Sequence, residues 1–136
     1  MEVAVKIKFG IFLSVAIVAL LAGPGALLAH HGSAIYDETK AVQVDGVVTE
    51  WVWANPHCLL EFDVKNDKGE MVHWTAEVSN PPDMIARGWS RKMFKPGDDV
   101  HIWMIVAKNG EPIGRIARVT VAGKTYEGMG RVPGEK

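Results

Sequence analysis

HCLLEFDVKNDKGEMVHWTAEV, residues 57 to 78, alternates apolar and polar side chains on either side of the break Asn66-Asp67-Lys68-Gly69. Alternation of period two is the mark of a strand with one buried face, and a short polar break holding a glycine makes two such runs a hairpin. If Asp67, Lys68 and Gly69 form the loop, residues whose numbers sum to 136 face each other. Val64 then meets Val72, Phe62 meets Trp74, Leu60 meets Ala76 and Cys58 meets Val78, so every inward pair is apolar. A slip of one residue would mix charged and apolar side chains on both faces, and the pattern therefore specifies its own register. On the outer face the same register sets Asp63 opposite His73, with His57 and Leu59 near Glu77.

Upstream, AVQVDGVVTEWVW (41 to 53) places Val42, Val44, Val48 and Val52 on one face, with Gly46 expected at a bend or bulge and Asn55-Pro56 ending the run. Downstream, NPPDMIARGWSRKMF (80 to 94) loses the alternation and suits one or two short helical turns, the first closed by Gly88. DVHIWMIVAK (99 to 108) alternates again, and a last strand is expected over roughly Gly114 to Ala122. Five strands with a helical segment between the third and fourth is the order of a small antiparallel barrel of the OB type. An open antiparallel sandwich would use the same strands.

The chain has 136 residues and a formal charge of −1. Lys6 and Lys8 precede an apolar run from Phe9 to Ala22, then Gly23-Pro24-Gly25 and Ala26-Leu27-Leu28-Ala29. Basic region, apolar region, helix breaker and small residue are the parts of a secretory signal peptide. The run is shorter than the roughly 20 residues of a membrane span. Cleavage is expected after Ala29, although Leu27 leaves the cut open by several residues and retention as an uncleaved anchor stays an alternative. The expected organisation is a signal-peptide helix within 1–29, an N-terminal segment at 30–40, the barrel at 41–128 and a tail at 129–136. Periplasmic or secreted localisation is the expectation, without membrane attachment after cleavage.

Removing residues 1–29 leaves 107 residues (136 − 29), 13 basic (15 − 2) and 15 acidic (16 − 1). That length supports one domain. A slightly acidic balance offers no overall attraction for phosphate backbones, so nucleic acid is not an expected partner. The lone Cys58 cannot form an intramolecular disulfide, and burial is its expected state.

HHGSAIYD (30 to 37), VDGVVTEWVWANPH (44 to 57), RGWSRKMFKPGDDV (87 to 100) and RIARVTVAGKTYEG (115 to 128) together resemble a family of exported bacterial proteins of unknown function. Its members look like a signal peptide followed by one small β-rich domain, with a His-His-Ser start, a Trp-x-Asn-Pro-His turn and a Gly-Trp-Ser/Thr-Arg segment before Lys-Pro-Gly-Asp. Here Gly32 intervenes before the serine, and Cys58 follows the turn. The resemblance covers essentially the whole mature chain and implies no established activity.

Candidate chemistry begins at His30 and His31. A cut after Ala29 would give His30 a free α-amine beside its imidazole, a two-nitrogen chelate. A further imidazole, from His57 or His101, would complete a three-nitrogen set suited to copper. His31 is strained as a partner in the same chelate. The arrangement is similar to the histidine brace of copper-dependent oxygenases and periplasmic copper carriers, although only the terminal histidine matches. The competing reading is a solvated chain start. His73 and His101 are read first as sheet histidines.

A second hypothesis uses Trp51, Trp53, Asn55 and Trp103 as a surface for an envelope protein or other partner; against it, the helical segment or the chain start would cover the tryptophans as a second small core. Trp89 is expected as a plug beneath residues 80–94. Arg87, Arg91 and Lys92 are expected to form a solvated rim able to meet an anionic ligand. Nucleophile-elbow serine, His-Glu-x-x-His, phosphate-cradling loop and Cys-x-x-Cys are all missing from the sequence. A binding module for a small ligand or metal ion is the leading expectation, ahead of an enzyme.

Overall fold

A computed structural model describes residues 34–129 and 132; the signal-peptide reading and the positions of His30 and His31 lie outside the described residues. The elements are β1 (Tyr36–Val52), β2 (Cys58–Lys65), β3 (Met71–Val78), α1 (Pro81–Ala86), β4 (Asp99–Ala107), β5 (Ile113–Val121) and β6 (Lys124–Glu127). The sheet runs β3-β2-β1-β4-β5-β6, and a parallel pairing of β3 with β5 closes it into a ring. This is the OB-like barrel expected, with one strand more at its edge.

The β2–β3 hairpin has the register the sequence specifies: Cys58 faces Val78, Leu60 faces Ala76, Phe62 faces Trp74, Val64 faces Val72 and Asp63 faces His73. Asn66 holds the turn, since its side-chain oxygen accepts the backbone N–H groups of Lys68 and Glu70 at 3.0 and 2.9 Å. Gly69 takes the positive φ of 82° that the loop needs.

β1 is long because it is shared. Tyr36 and residues 41–47 pair with β4, with a register shift between Tyr36 and Ala41, and residues 47–52 pair with β2. The strand starts at Tyr36, ahead of the alternation, because the polar run Asp37–Lys40 carries no apolar period to announce it. Gly46 pairs in register with Val100 and is not the bulge. It is a point of close approach, where an added Cβ would stand 2.7 Å from Cδ2 of Phe62 and 3.1 Å from the Asp63 carbonyl oxygen. The bulge lies between Val48 and Glu50, and it inverts the facing of the residues after it. Trp51 therefore stands opposite inward Leu60, and Val52 opposite outward Leu59, the reverse of simple alternation.

Phe62, Leu60, Ile102, Met104 and Ile116 are fully buried at the centre. α1 covers one end with Met84, which is fully buried. The helix is short and well capped: the Asn80 side chain accepts the Asp83 N–H at 3.1 Å, Pro81 occupies the first turn, and Gly88 follows its end at φ 83°. Trp89 is the expected plug, 2 % exposed, its indole N–H donating to the Glu127 carbonyl at 2.8 Å. β6 follows a two-residue turn, Ala122-Gly123, with both residues at positive φ (47° and 76°). Four residues, Lys-Thr-Tyr-Glu, are too few and too polar to register as a strand in the sequence.

Gly46→Ala should lower unfolding free energy by about 1–3 kcal/mol, the range for forcing a methyl into a packed core. Chemical denaturation of the two proteins measures it; equal midpoints would show that β1 and Phe62 separate at no cost.

Candidate functional site

Three histidines of the barrel project from its outer face, and each meets carboxylates differently. His57, just past the Asn55-Pro56 turn, has a side chain 42 % exposed with Nδ1 3.6 Å from Glu77 Oε2. Glu77 is itself fixed. It faces Arg115 across the parallel β3–β5 pair, and both Nε and Nη2 of Arg115 donate to Glu77 Oε1 at 3.2 Å. The Arg115 guanidinium lies 4.5 Å from the centre of the Tyr36 ring. Tyr36 is buried, and its hydroxyl is hydrogen-bonded to Glu77; burial, followed by the Glu77 charge, pushes the phenol far above its ordinary pKa. Tyr36, Glu77 and Arg115 thus form a fixed support beside an exposed imidazole. Nothing in the sequence announced it, because Tyr36 and Arg115 meet Glu77 only through barrel closure.

His101 stands opposite Asp45 across β1 and β4, and its Nδ1 lies 2.6 Å from Asp45 Oδ1. Nε2 of His57 and of His101 carries no hydrogen bond among the described residues. His73 differs in having both ring nitrogens engaged, Nδ1 with Asp63 at 2.7 Å and Nε2 with Glu61 at 3.1 Å. Thr75 completes this group by donating its hydroxyl to Glu61 at 2.7 Å. His101 also lines an open groove of about 720 Å³, together with Asp45, Asp63 and Asp99. Among the described residues no group of three or more His, Cys, Asp or Glu side chains is arranged to hold a metal ion.

The candidate aromatic residues do not share a surface. Beyond the bulge, Trp51 is turned toward the core, with ring centres 5.6 Å from Trp53, 5.9 Å from Trp89 and 5.1 Å from Phe94. Its indole N–H donates to the Ser90 carbonyl at 3.2 Å. Trp51 is half-buried between the barrel and the 88–94 segment, and Trp53 is half-buried beside it against the core. Asn55 is exposed in the turn, and Trp103 is half-buried on the outer face of β4, opposite Arg118 and Gln43. Cys58 is fully buried and free, and burial pushes its thiol pKa up. No helix among the described residues is long and apolar enough to cross a membrane.

The model of a family of unknown function (DUF6152) matches residues 17–116. No curated protein matches the chain. Among solved structures, the chain is similar to the mitochondrial single-stranded DNA binding protein Rim1 of S. cerevisiae, at 10 % identity and a TM-score of 0.47, over 62 % of this chain and 94 % of that one. A likeness that weak says nothing of this chain's ligand.

Two outcomes test these placements. Asp63 first, then Glu61, raises the His73 pKa above its ordinary 6.5, so folding tightens proton binding there. The stabilisation is complete below pH 6.5 and is lost as pH rises through the folded-state value. Thermal melts should show the gap between native protein and His73→Gln widest on the acidic side and closing as pH rises; a constant gap would leave His73 no electrostatic role. Trp51→Ala should destabilise the fold by roughly 2–4 kcal/mol, somewhat below the usual cost for a fully buried tryptophan. Unaltered stability in denaturant would make Trp51 a free surface residue after all.

Proposed function

This chain belongs to the family of unknown function DUF6152, and from that starting point we propose that it is an exported binding module whose ligand is a metal ion, copper first. Export rests on the signal-peptide order of residues 1–29, and copper on the nitrogen-rich start that cleavage after Ala29 would create. The observation that supports the reading is His57: exposed, with Nδ1 turned to a carboxylate that Arg115 and Tyr36 hold in place, and Nε2 open. Imidazoles that ligate metals are commonly oriented by such a carboxylate on the other nitrogen. His101 has the same form through Asp45, whereas His73 has no open nitrogen.

The barrel's histidines do not suffice alone, since no three-ligand group exists among the described residues. The α-amine and imidazole of His30 would supply the missing nitrogens, with His57 as the preferred third ligand and His101 as its substitute. Cu(II) favours such a nitrogen set and stands at the top of the divalent affinity order. Trp51 and Trp53 offer an envelope partner little to dock on, because their rings pack against the core.

Intact-mass measurement of the exported protein should give a mature chain starting at His30. Cu(II) titration should then show affinity falling sharply in His30→Ala and in His57→Ala, and by about 10–100-fold in Glu77→Gln, whose role is orientation. His73→Gln should bind as the native protein does. A different mature start, or unchanged affinity in His30→Ala, would remove the copper reading.

A further inference from the structure

The formal charge of −1 conceals a locally lysine-rich groove. The loop 88–98 and the β5–β6 hairpin enclose a groove of about 480 Å³ lined by Ser90, Lys92, Lys95, Asp98, Lys124 and Tyr126 among others. Three lysines thus border one small space. Among the described residues none of Lys92, Lys95 and Lys124 has an ion-pair partner. The carboxylate in the lining, Asp98, is already occupied at one oxygen, where it accepts the backbone N–H of Lys95 at 2.8 Å. Lys124 is held at the groove by its own aromatic neighbour, with Nζ 4.8 Å from the centre of the Tyr126 ring. Tyr126 is in turn packed edge-on against buried Trp89 at 6.3 Å, which fixes the wall to the core.

We propose that this groove binds a compact polyanion bearing phosphoryl groups. Lysine ammonium groups carry hydrogen-bond donors and no acceptor, and the Ser90 hydroxyl adds another donor, so the lining calls for a ligand rich in acceptor oxygens and negative charge. A phosphoryl group has three acceptor oxygens and up to two charges, and a pair of them matches three lysines better than a single carboxylate does. The volume is in the range of small-molecule sites. Among the described residues no histidine lines the groove.

The phosphoryl group has two possible sources, a soluble diphosphate or a phospholipid headgroup. Calorimetric titration of the full chain with pyrophosphate, beside co-sedimentation with phosphatidylglycerol vesicles and phosphatidylcholine controls, separates them. Saturable pyrophosphate binding assigns the soluble source, and retention on phosphatidylglycerol alone assigns the headgroup. In either arm Lys92→Glu/Lys124→Glu should weaken binding at least about tenfold, and binding should fall with added salt. Lys40→Glu/Lys68→Glu makes the same change in net charge away from the groove and should bind as the native protein does. Thermal melts of both double variants establish that they fold. The proposal is overturned if neither probe binds, if the groove variant binds normally, or if the distant variant loses as much.

Discussion

The ring of Phe62 lies against the bare α-carbon of Gly46, and that contact lets one strand take part in both halves of the barrel. β1 gives its first part to β4 and its last part to β2, so it must pass close over the core where the two pairings meet. A side chain at position 46 would push the strand away from Phe62, the largest fully buried residue. Loss of that approach would open β1 from β2, and the closure of β3 onto β5 on the far side depends on the same ring. The Glu77–Arg115 pair sits on that closure, so the support beneath His57 is an indirect product of a glycine on another strand.

The hairpin was fully legible because its alternation and its turn agreed on one register, down to Asp63 facing His73. Helix α1 was legible from the loss of alternation, the two prolines that open it and Gly88 beyond its end, each of which acts locally. What alternation could not supply was the parity of Trp51. A bulge adds one residue without any compositional signal when Val-Val-Thr-Glu reads as continuous strand, and everything beyond it changes face. β6 escaped for the opposite reason: its pairing with β5 is fixed by two positive-φ residues, and one of them is an alanine.

The candidate sites divide along the same line. His57 and His101 could be named from the sequence as candidate imidazole ligands, but their carboxylate partners differ in kind. Asp45 lies directly across an antiparallel pair from His101, whereas Glu77, set near His57 by the hairpin register, is held by Arg115 across the parallel seam. Lys92, Lys95 and Lys124 come from two separate turns that only the fold brings together; of these, the sequence singled out Lys92 alone. The two grooves differ in balance: aspartates outnumber Lys65 around His101, lysines outnumber Asp98 around Tyr126, and Ala122 lines both.

Cys58 completes the picture from inside. Its sulfur is fully covered, at the start of β2 opposite Val78. A thiol so placed reacts with solvent reagents only in molecules whose hairpin has come apart, so the rate of its alkylation is a clock for opening events. Covalent dimers through this sulfur would mark a population that had unfolded first, and would be a record of damage instead of assembly.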